Sequence, residues 1–202
     1  MKIICVGRNY AAHAAELANA VPSKPVLFLK PQTALLKGKD FYIPSFTKNL
    51  HFECELVLRI GKTAKHVQPQ FAHRYINAYS LGIDFTARDL QDEQKAQGLP
   101  WEIAKAFDNS AVCGDFVEVE NILEHLPLHF QFYQNNELKQ SGDTSLMLFD
   151  IPTLVANITS YFTLQAGDLI YTGTPAGVAG VTIGDQLRAE ANGQVFFEIA
   201  IK

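Results

Sequence analysis

Residues 51–60 read HFECELVLRI. Phe52, Cys54, Leu56, Leu58 and Ile60 alternate with His51, Glu53, Glu55, Val57 and Arg59. A period of two sustained over this stretch predicts a strand with one face in the core. Working outward, Lys2–Val6, Val26–Lys30, Tyr79–Asp84, Asp115–Val119 and Asp168–Thr172 read as further strands. Leu128–Gln134 and Glu137–Gln140 flank an Asn135–Asn136 turn, and Gln186–Ala191 and Val195–Ile201 flank Asn192–Gly193, so each pair predicts a hairpin. Pro31, Gly38 and Pro44 break the segment up to Thr47 into a hairpin or irregular strands. Helices are predicted at Tyr10–Ala18 with Asn9 as N-cap, Gln70–Ala78, Thr86–Gln97 with Thr86 and Asp89 as a capping box, Glu102–Ala106 and Thr153–Phe162. Strands and helices are scattered rather than alternating. That predicts a β-rich α+β fold, not a doubly wound sheet.

Composition narrows the function classes. The chain has 202 residues, with 17 Lys plus Arg against 21 Asp plus Glu and a net charge of −4. A hydrophobic share of 48% excludes a disordered chain, and the length suits one domain over residues 1–202. No block of Lys and Arg is present, which argues against nucleic acid. Cys5, Cys54 and Cys113 are odd in number and widely spaced, so neither a disulfide framework nor a zinc ribbon is expected. The start, MKIICVGRNY, lacks the pattern of a signal peptide, and no stretch reads as a membrane span. The expectation is a cytoplasmic protein with reduced thiols.

The carboxylates carry the first chemical signal. Glu53 and Glu55 point to the same side of a strand, with Cα atoms about 6.6 Å apart. Like charges so placed need either solvent or a cation between them. Asp84 ends an apolar strand, YSLGID, at a position where sheets commonly carry site residues. Together the three would make a hard oxygen site for Mg²⁺ or Mn²⁺. Spacing alone leaves open whether Asp84 reaches the glutamates, and a solvated strand face is the other reading. His13 and Glu16 share a helix face, as a general base and its orienting carboxylate would, or as two exposed polar residues would. Lys105 is either solvated or a cation facing a developing oxyanion. TGTPAG at 172–177 fits neither dinucleotide nor P-loop spacing, so nucleotide binding is rejected.

Taken in order, GRNYAAHAAEL (7–17), PVLFLKP (25–31), NLHFECEL (49–56), GIDFTARDLQDE (82–93), GLPWEIAKAFDNS (98–110), GDTSLMLFDIPTLV (142–155) and GDLIYTGTPAGV (167–178) resemble the fumarylacetoacetate hydrolase (FAH) family. The resemblance is greatest to its short single-domain acylpyruvase and oxaloacetate-handling branch. It implies a mixed β-sandwich or roll with short peripheral helices, usually a homodimer. It implies that Glu53, Glu55 and Asp84 hold one Mg²⁺ or Mn²⁺, completed by the 2-oxo and carboxylate oxygens of a small 2-oxoacid. It also implies that His13 and Glu16 form a dyad on a lid, that Lys105 lies near the reacting oxygens, and that Arg88, Gln91 and Thr174 touch substrate. The large N-terminal domain of the long family members has no counterpart in the chain, nor does their extra metal-binding aspartate.

A cation chelating a 2-oxoacid polarises the carbonyl and stabilises an enolate. Hydrolysis of acylpyruvates is the leading expectation, with water activated by His13 attacking the distal carbonyl. Keto–enol tautomerisation or decarboxylation of oxaloacetate is the alternative and uses the same enolate. Isomerisation or decarboxylation of longer oxo-diacids, and a metal-binding module without catalysis, are further readings.

Overall fold

The computed structural model describes residues 1–16 and 20–202. The chain runs β1 (Ile3–Gly7), α1 (Ala11–Glu16), β2 (Val26–Lys30), β3 (Asp40–Phe41), β4 (Leu50–Phe52), β5 (Cys54–Ile60), β6 (Ile76–Asp84), β7 (Thr86–Ala87), α2 (Arg88–Gln97) and α3 (Glu102–Lys105). It continues through β8 (Ala111–Cys113), β9 (Val117–Glu118), β10 (His129–Gln134), β11 (Glu137–Asp143), α4 (Ile151–Tyr161), β12 (Leu169–Tyr171), β13 (Ala179–Gly180), β14 (Gln186–Ala191) and β15 (Gln194–Ile201). The β-rich α+β expectation stands. Leu17 and Ala18, the last residues of the first predicted helix, lie outside the described residues.

The largest sheet has the order β2-β1-β12-β5-β6-β8, with β9 also pairing β6. A second sheet has the order β11-β10-β14-β15-β3, and a small one the order β13-β4-β7. The main core includes Phe52, Leu56 and Leu58 together with Phe130, Phe132 and Phe197 of the second sheet. Phe52 and Phe132 meet at 4.6 Å between ring centroids. The other face of the large sheet carries a smaller cluster of Ile3, Cys5, Val57, Ala111, Leu169 and Tyr171. Both faces of β5 are therefore buried, and β5 lies between β12 and β6, not at an edge.

The stretch 51–60 is not one strand. Its first part, β4, pairs with β7 and β13, and its second part, β5, joins the large sheet. The chain changes sheets at Glu53, whose carbonyl accepts the Asp84 N–H at 2.9 Å. Two more expectations are corrected. Pro69–Tyr75 is a 3₁₀ helix and Ile76–Ala78 belongs to β6, because pairing with Arg59 and Ile60 outweighs local helical preference. The capping box is absent. Ala87 is the N-cap of α2 without a side-chain bond, while Asp89 accepts from Thr47 Oγ1 and the Lys48 N–H. Asn9 does not cap α1. Its amide donates to the Phe149 and Thr172 carbonyls and accepts from the Phe149 N–H, tying the β1–α1 turn to two distant loops. The hairpin turns appear as read, with positive φ at Asn135, Asn136, Asn192 and Gly193.

Candidate active site

Strand alternation brings the site together on the smaller-core face of the large sheet. In β5, Glu55 alternates with Cys54 and Leu56, so it points away from the main core, as Val57 does. Gly82 of β6 is its cross-strand partner. A Cβ at Gly82 would lie 2.3 Å from the Val112 carbonyl and 2.7 Å from Val57 Cγ2, so only glycine permits this close packing. Asp84 lies two residues further along β6 on the same face. Glu53, at the change of sheets, is the third carboxylate. One oxygen from each of Glu53, Glu55 and Asp84 lies within 4.8 Å of the others. All three are buried, with relative exposures of 6, 2 and 1% respectively. The solvated-face reading of these residues is thereby excluded.

Three buried cations surround them. Lys105, on the short helix α3, donates to Glu53 Oε2 at 2.9 Å, Asp84 Oδ2 at 2.7 Å and Thr86 Oγ1 at 2.6 Å. Arg88, at the first turn of α2, donates to Glu53 Oε1 at 2.6 Å and Gln91 Oε1 at 2.7 Å. Lys30, the last residue of β2, places its ammonium 2.8 Å from Asp84 Oδ1. Lys30 also donates to the Lys105 and Ser110 carbonyls and to Ser110 Oγ.

This environment divides the carboxylates. Burial alone would raise the Glu53 pKa, but Lys105 and Arg88 outweigh it and hold the group well below the usual glutamate range. Glu55 is pushed well above that range by burial, then by Asp84 and Glu53, and is opposed by the Gly173 N–H at 2.7 Å. Burial disfavours charge on Lys105 also, yet Asp84 and Glu53 raise its pKa and keep it protonated. Gly173 reaches Glu55 from a backbone with φ of +103°, and a side chain there would strike Asn9 Cβ at 2.6 Å.

A divalent cation fits these residues. Three carboxylates supply hard oxygen donors from one buried cluster. Asp84 Oδ1 is buried without a hydrogen bond, its Lys30 contact being ionic only. Glu55 is held against two like charges that a cation would relieve.

His13 and Glu16 are brought together as the sequence suggests. His13 Nδ1 lies 3.3 Å from Glu16 Oε2, and Glu16 in turn accepts the Gly177 N–H at 3.1 Å. His13 is buried, and it lines one cleft with Glu53, Arg88, Gln91 and Lys105. The free volume of this cleft is about 30 Å³, enough for a water or two. Admitting a 2-oxoacid therefore requires α1 or the paired side chains to move.

Thr174 stands apart from the cleft wall. Its hydroxyl donates to the Cys54 carbonyl and accepts from Gln140 Nε2, both at 2.8 Å, so its hydrogen is already committed. Gln140, buried beside it, also accepts the Cys54 N–H at 2.9 Å. Gln91 uses its carbonyl on Arg88, leaving its amide N–H groups without a hydrogen-bond partner among the described residues.

A family model described as fumarylacetoacetate (FAA) hydrolase C-terminal matches residues 2–201. The chain belongs to the fumarylacetoacetate hydrolase family. Among FAH-family relatives, the mitochondrial oxaloacetate tautomerase FAHD1 of Homo sapiens is 45% identical over 194 residues, covering 96% of this chain and 88% of the relative. The mitochondrial oxaloacetate decarboxylase of Dictyostelium discoideum is 39% identical over 194 residues, covering 95 and 89%. The crystal structure of fumarylpyruvate hydrolase from Pseudomonas aeruginosa in complex with Mn²⁺ and pyruvate superposes with a TM-score of 0.91. That hydrolase is 32% identical, and the match covers 100% of this chain and 89% of that one. The FAH-type fold expected from the resemblance is therefore present. No helix among the described residues is long and apolar enough to cross a membrane.

Lys30, Thr86 and Gln140 complete the site but were not read as site residues from the sequence, Thr86 being taken for a helix cap. Lys30 carried a usable signal, because it ends an apolar strand on the same side as Phe28, where a lysine must find a buried partner. Lys30→Met leaves Asp84 short of one cation and several buried acceptors without a donor. Removing one partner from a buried ion pair costs about 3 kcal/mol or more. For a chain of this size that lowers the melting temperature by roughly 6–12 °C. Thermal unfolding by circular dichroism checks this, and an unchanged midpoint would refute a structural role for Lys30.

Proposed function

We propose that the chain is a divalent-cation-dependent enzyme acting on oxaloacetate, interconverting its keto and enol forms. Decarboxylation through the same enolate is a related outcome. Acylpyruvate hydrolysis, the leading expectation from sequence, becomes the second reading. The reversal rests on the charges of the site. Around the metal position the three buried carboxylates and the three buried cations Lys30, Arg88 and Lys105 offset one another, and Arg8 and Lys95 add further positive charge to the same cleft. A divalent cation then brings two positive charges that a dianionic substrate matches, and oxaloacetate is a dianion where a simple acylpyruvate is a monoanion. The names of the curated relatives support the same order.

Glu53, Glu55 and Asp84 would hold the cation, which when bound polarises the 2-oxo group and stabilises the enolate. Lys105 is poorly suited to act as the base. Its ammonium donates to three oxygens, and Asp84 and Glu53 keep it charged. It supplies fixed positive charge beside the oxygen on which negative charge develops. His13, oriented by Glu16 through Nδ1, presents its other ring nitrogen for the proton that leaves and returns at C3. The Gln91 amide N–H groups and the Arg88 guanidinium line the same cleft and orient substrate oxygens.

The test follows the enol absorbance of oxaloacetate with Mg²⁺ or Mn²⁺, with and without chelator, while pyruvate release from acetylpyruvate is measured in parallel. Metal-dependent relaxation of enol to keto, faster than any acetylpyruvate cleavage, is the expected result. The His13–Glu16 dyad and the likeness to fumarylpyruvate hydrolase favour the second reading. Faster pyruvate release from acetylpyruvate would install it in place of the first.

A further inference from the structure

The cleft has a second group of cations that the chemistry above does not use. Arg8, Lys95 and Trp101 line it together with Glu53 and Lys105. The Arg8 guanidinium carbon and the Lys95 ammonium each lie 5.9 Å from the centre of the Trp101 ring. Both side chains are half-buried, and neither has an ion-pair partner among the described residues. Arg88, the neighbouring cation, is already committed to Glu53 and Gln91. Burial, then Arg88, lower the Lys95 pKa; Asp92 opposes them, and Arg8 and Glu53 act more weakly in opposite directions. Like charges gathered on one aromatic ring, with no carboxylate in ion-pair contact, are costly unless an anion arrives.

Backbone geometry points the same way. Arg8 has φ of +59°, a left-handed conformation that a long side chain rarely adopts. It occupies the turn between β1 and α1, where Asn9 ties the chain to Phe149 and Thr172 and fixes that conformation. The strained turn delivers the guanidinium into the cleft wall.

We propose that Arg8 and Lys95, supported on Trp101, form a carboxylate subsite that holds the distal carboxylate of a 2-oxodicarboxylate. The proposal deepens the oxaloacetate reading and rests on its placement of the 2-oxo end among Glu53, Glu55 and Asp84. The subsite selects for a second carboxylate, so a 2-oxoacid ending in a neutral acyl group gains nothing from it. Charge-assisted hydrogen bonds supply the preference.

Calorimetric titration of the Mg²⁺-loaded full-length protein tests this with two probes that cannot enolise. Difluoro-oxaloacetate carries the distal carboxylate, and oxalate offers only the chelating end. Arg8→Gln and Lys95→Gln should each weaken difluoro-oxaloacetate about tenfold, with oxalate affinity moving less than about twofold. Retained oxalate binding also shows that the variant has folded around its metal site, and Lys95 on the surface of α2 provides a variant independent of the strained turn. Equal weakening of both probes, an unchanged ratio, or no binding of difluoro-oxaloacetate by the wild type would overturn the subsite. If wild type turns over oxaloacetate while the ratio is unchanged, the subsite fails and the tautomerase reading stands. If wild type leaves oxaloacetate untouched yet the Arg8-dependent selectivity is present, the tautomerase reading fails and the subsite stands.

Discussion

Glu55→Gln should abolish metal-dependent turnover of oxaloacetate without lowering the stability of the metal-free protein. The two halves of this result have one cause. Glu55 is the carboxylate whose charge the fold disfavours most, through burial and then through Asp84 and Glu53. Glutamine keeps its size and can still accept the Gly173 N–H, while removing a charge that only a cation justifies. The loss of turnover should be at least about a thousandfold, since several kcal/mol of charge stabilisation go with the cation. Thermal unfolding gives the second readout. At a metal concentration about a hundredfold above Kd, binding stabilises the wild type by about 2.7 kcal/mol, or roughly 5–11 °C. The variant should show no such rise. Its metal-free midpoint should equal or exceed that of wild type. The pH dependence has a matching sign. Because the Glu55 pKa is raised in the folded state, its contribution is complete below the ordinary value of 4.5 and is lost as pH rises through the raised one. Glu55→Gln should remove that decline. A variant that melts much lower without metal would show that Glu55 serves the fold rather than the cation.

His13→Gln should lower the rate of tautomerisation by about 10²–10⁴-fold while leaving metal-induced stabilisation intact. His13 does not touch Glu53, Glu55 or Asp84 through any hydrogen bond. Its described partner is Glu16, which is itself anchored by the Gly177 N–H. With Lys105 held charged, His13 is the group in the cleft suited to carry a proton. Exchange of the C3 protons of oxaloacetate with deuterated water measures that step directly and should fall with the rate. Glu16→Gln should fall less, by about tenfold, because it orients the ring and does not carry the proton. If His13→Gln spares tautomerisation yet ends acylpyruvate cleavage, the histidine activates water instead, and the hydrolytic reading gains its strongest support.

How much of this was legible depends on the range of the interaction. Alternation in residues 51–60 located the paired glutamates and the core face of β5, and the two hairpin turns were visible in Asn135–Asn136 and Asn192–Gly193. Motif order brought Asp84, His13, Glu16 and Lys105 into the same set through family resemblance, before any geometry linked them. The misreadings share one feature. Thr86 looked like a helix cap and accepts a hydrogen bond from Lys105; Gln70–Ala78 looked helical and is 3₁₀ helix to Tyr75 and strand from Ile76. In each case a partner distant in sequence outweighed the local preference.

The sequence by itself determined the β-rich architecture, the placing of Glu53 beside Glu55 and the shared helix face of His13 and Glu16, because each depends on periodicity or on neighbours a few residues apart; the joining of Asp84 to the glutamates and the role of the dyad came only from the family resemblance. The tertiary structure alone decided that β4 and β5 part at Glu53, that Lys30 lies beside Asp84, and that Arg8 and Lys95 meet on one tryptophan. The contacts of Lys30 with Asp84 and of Arg8 with Trp101 join segments tens of residues apart. They are set by strand order and by the strained turn at Arg8, and no repeating pattern along the chain encodes either.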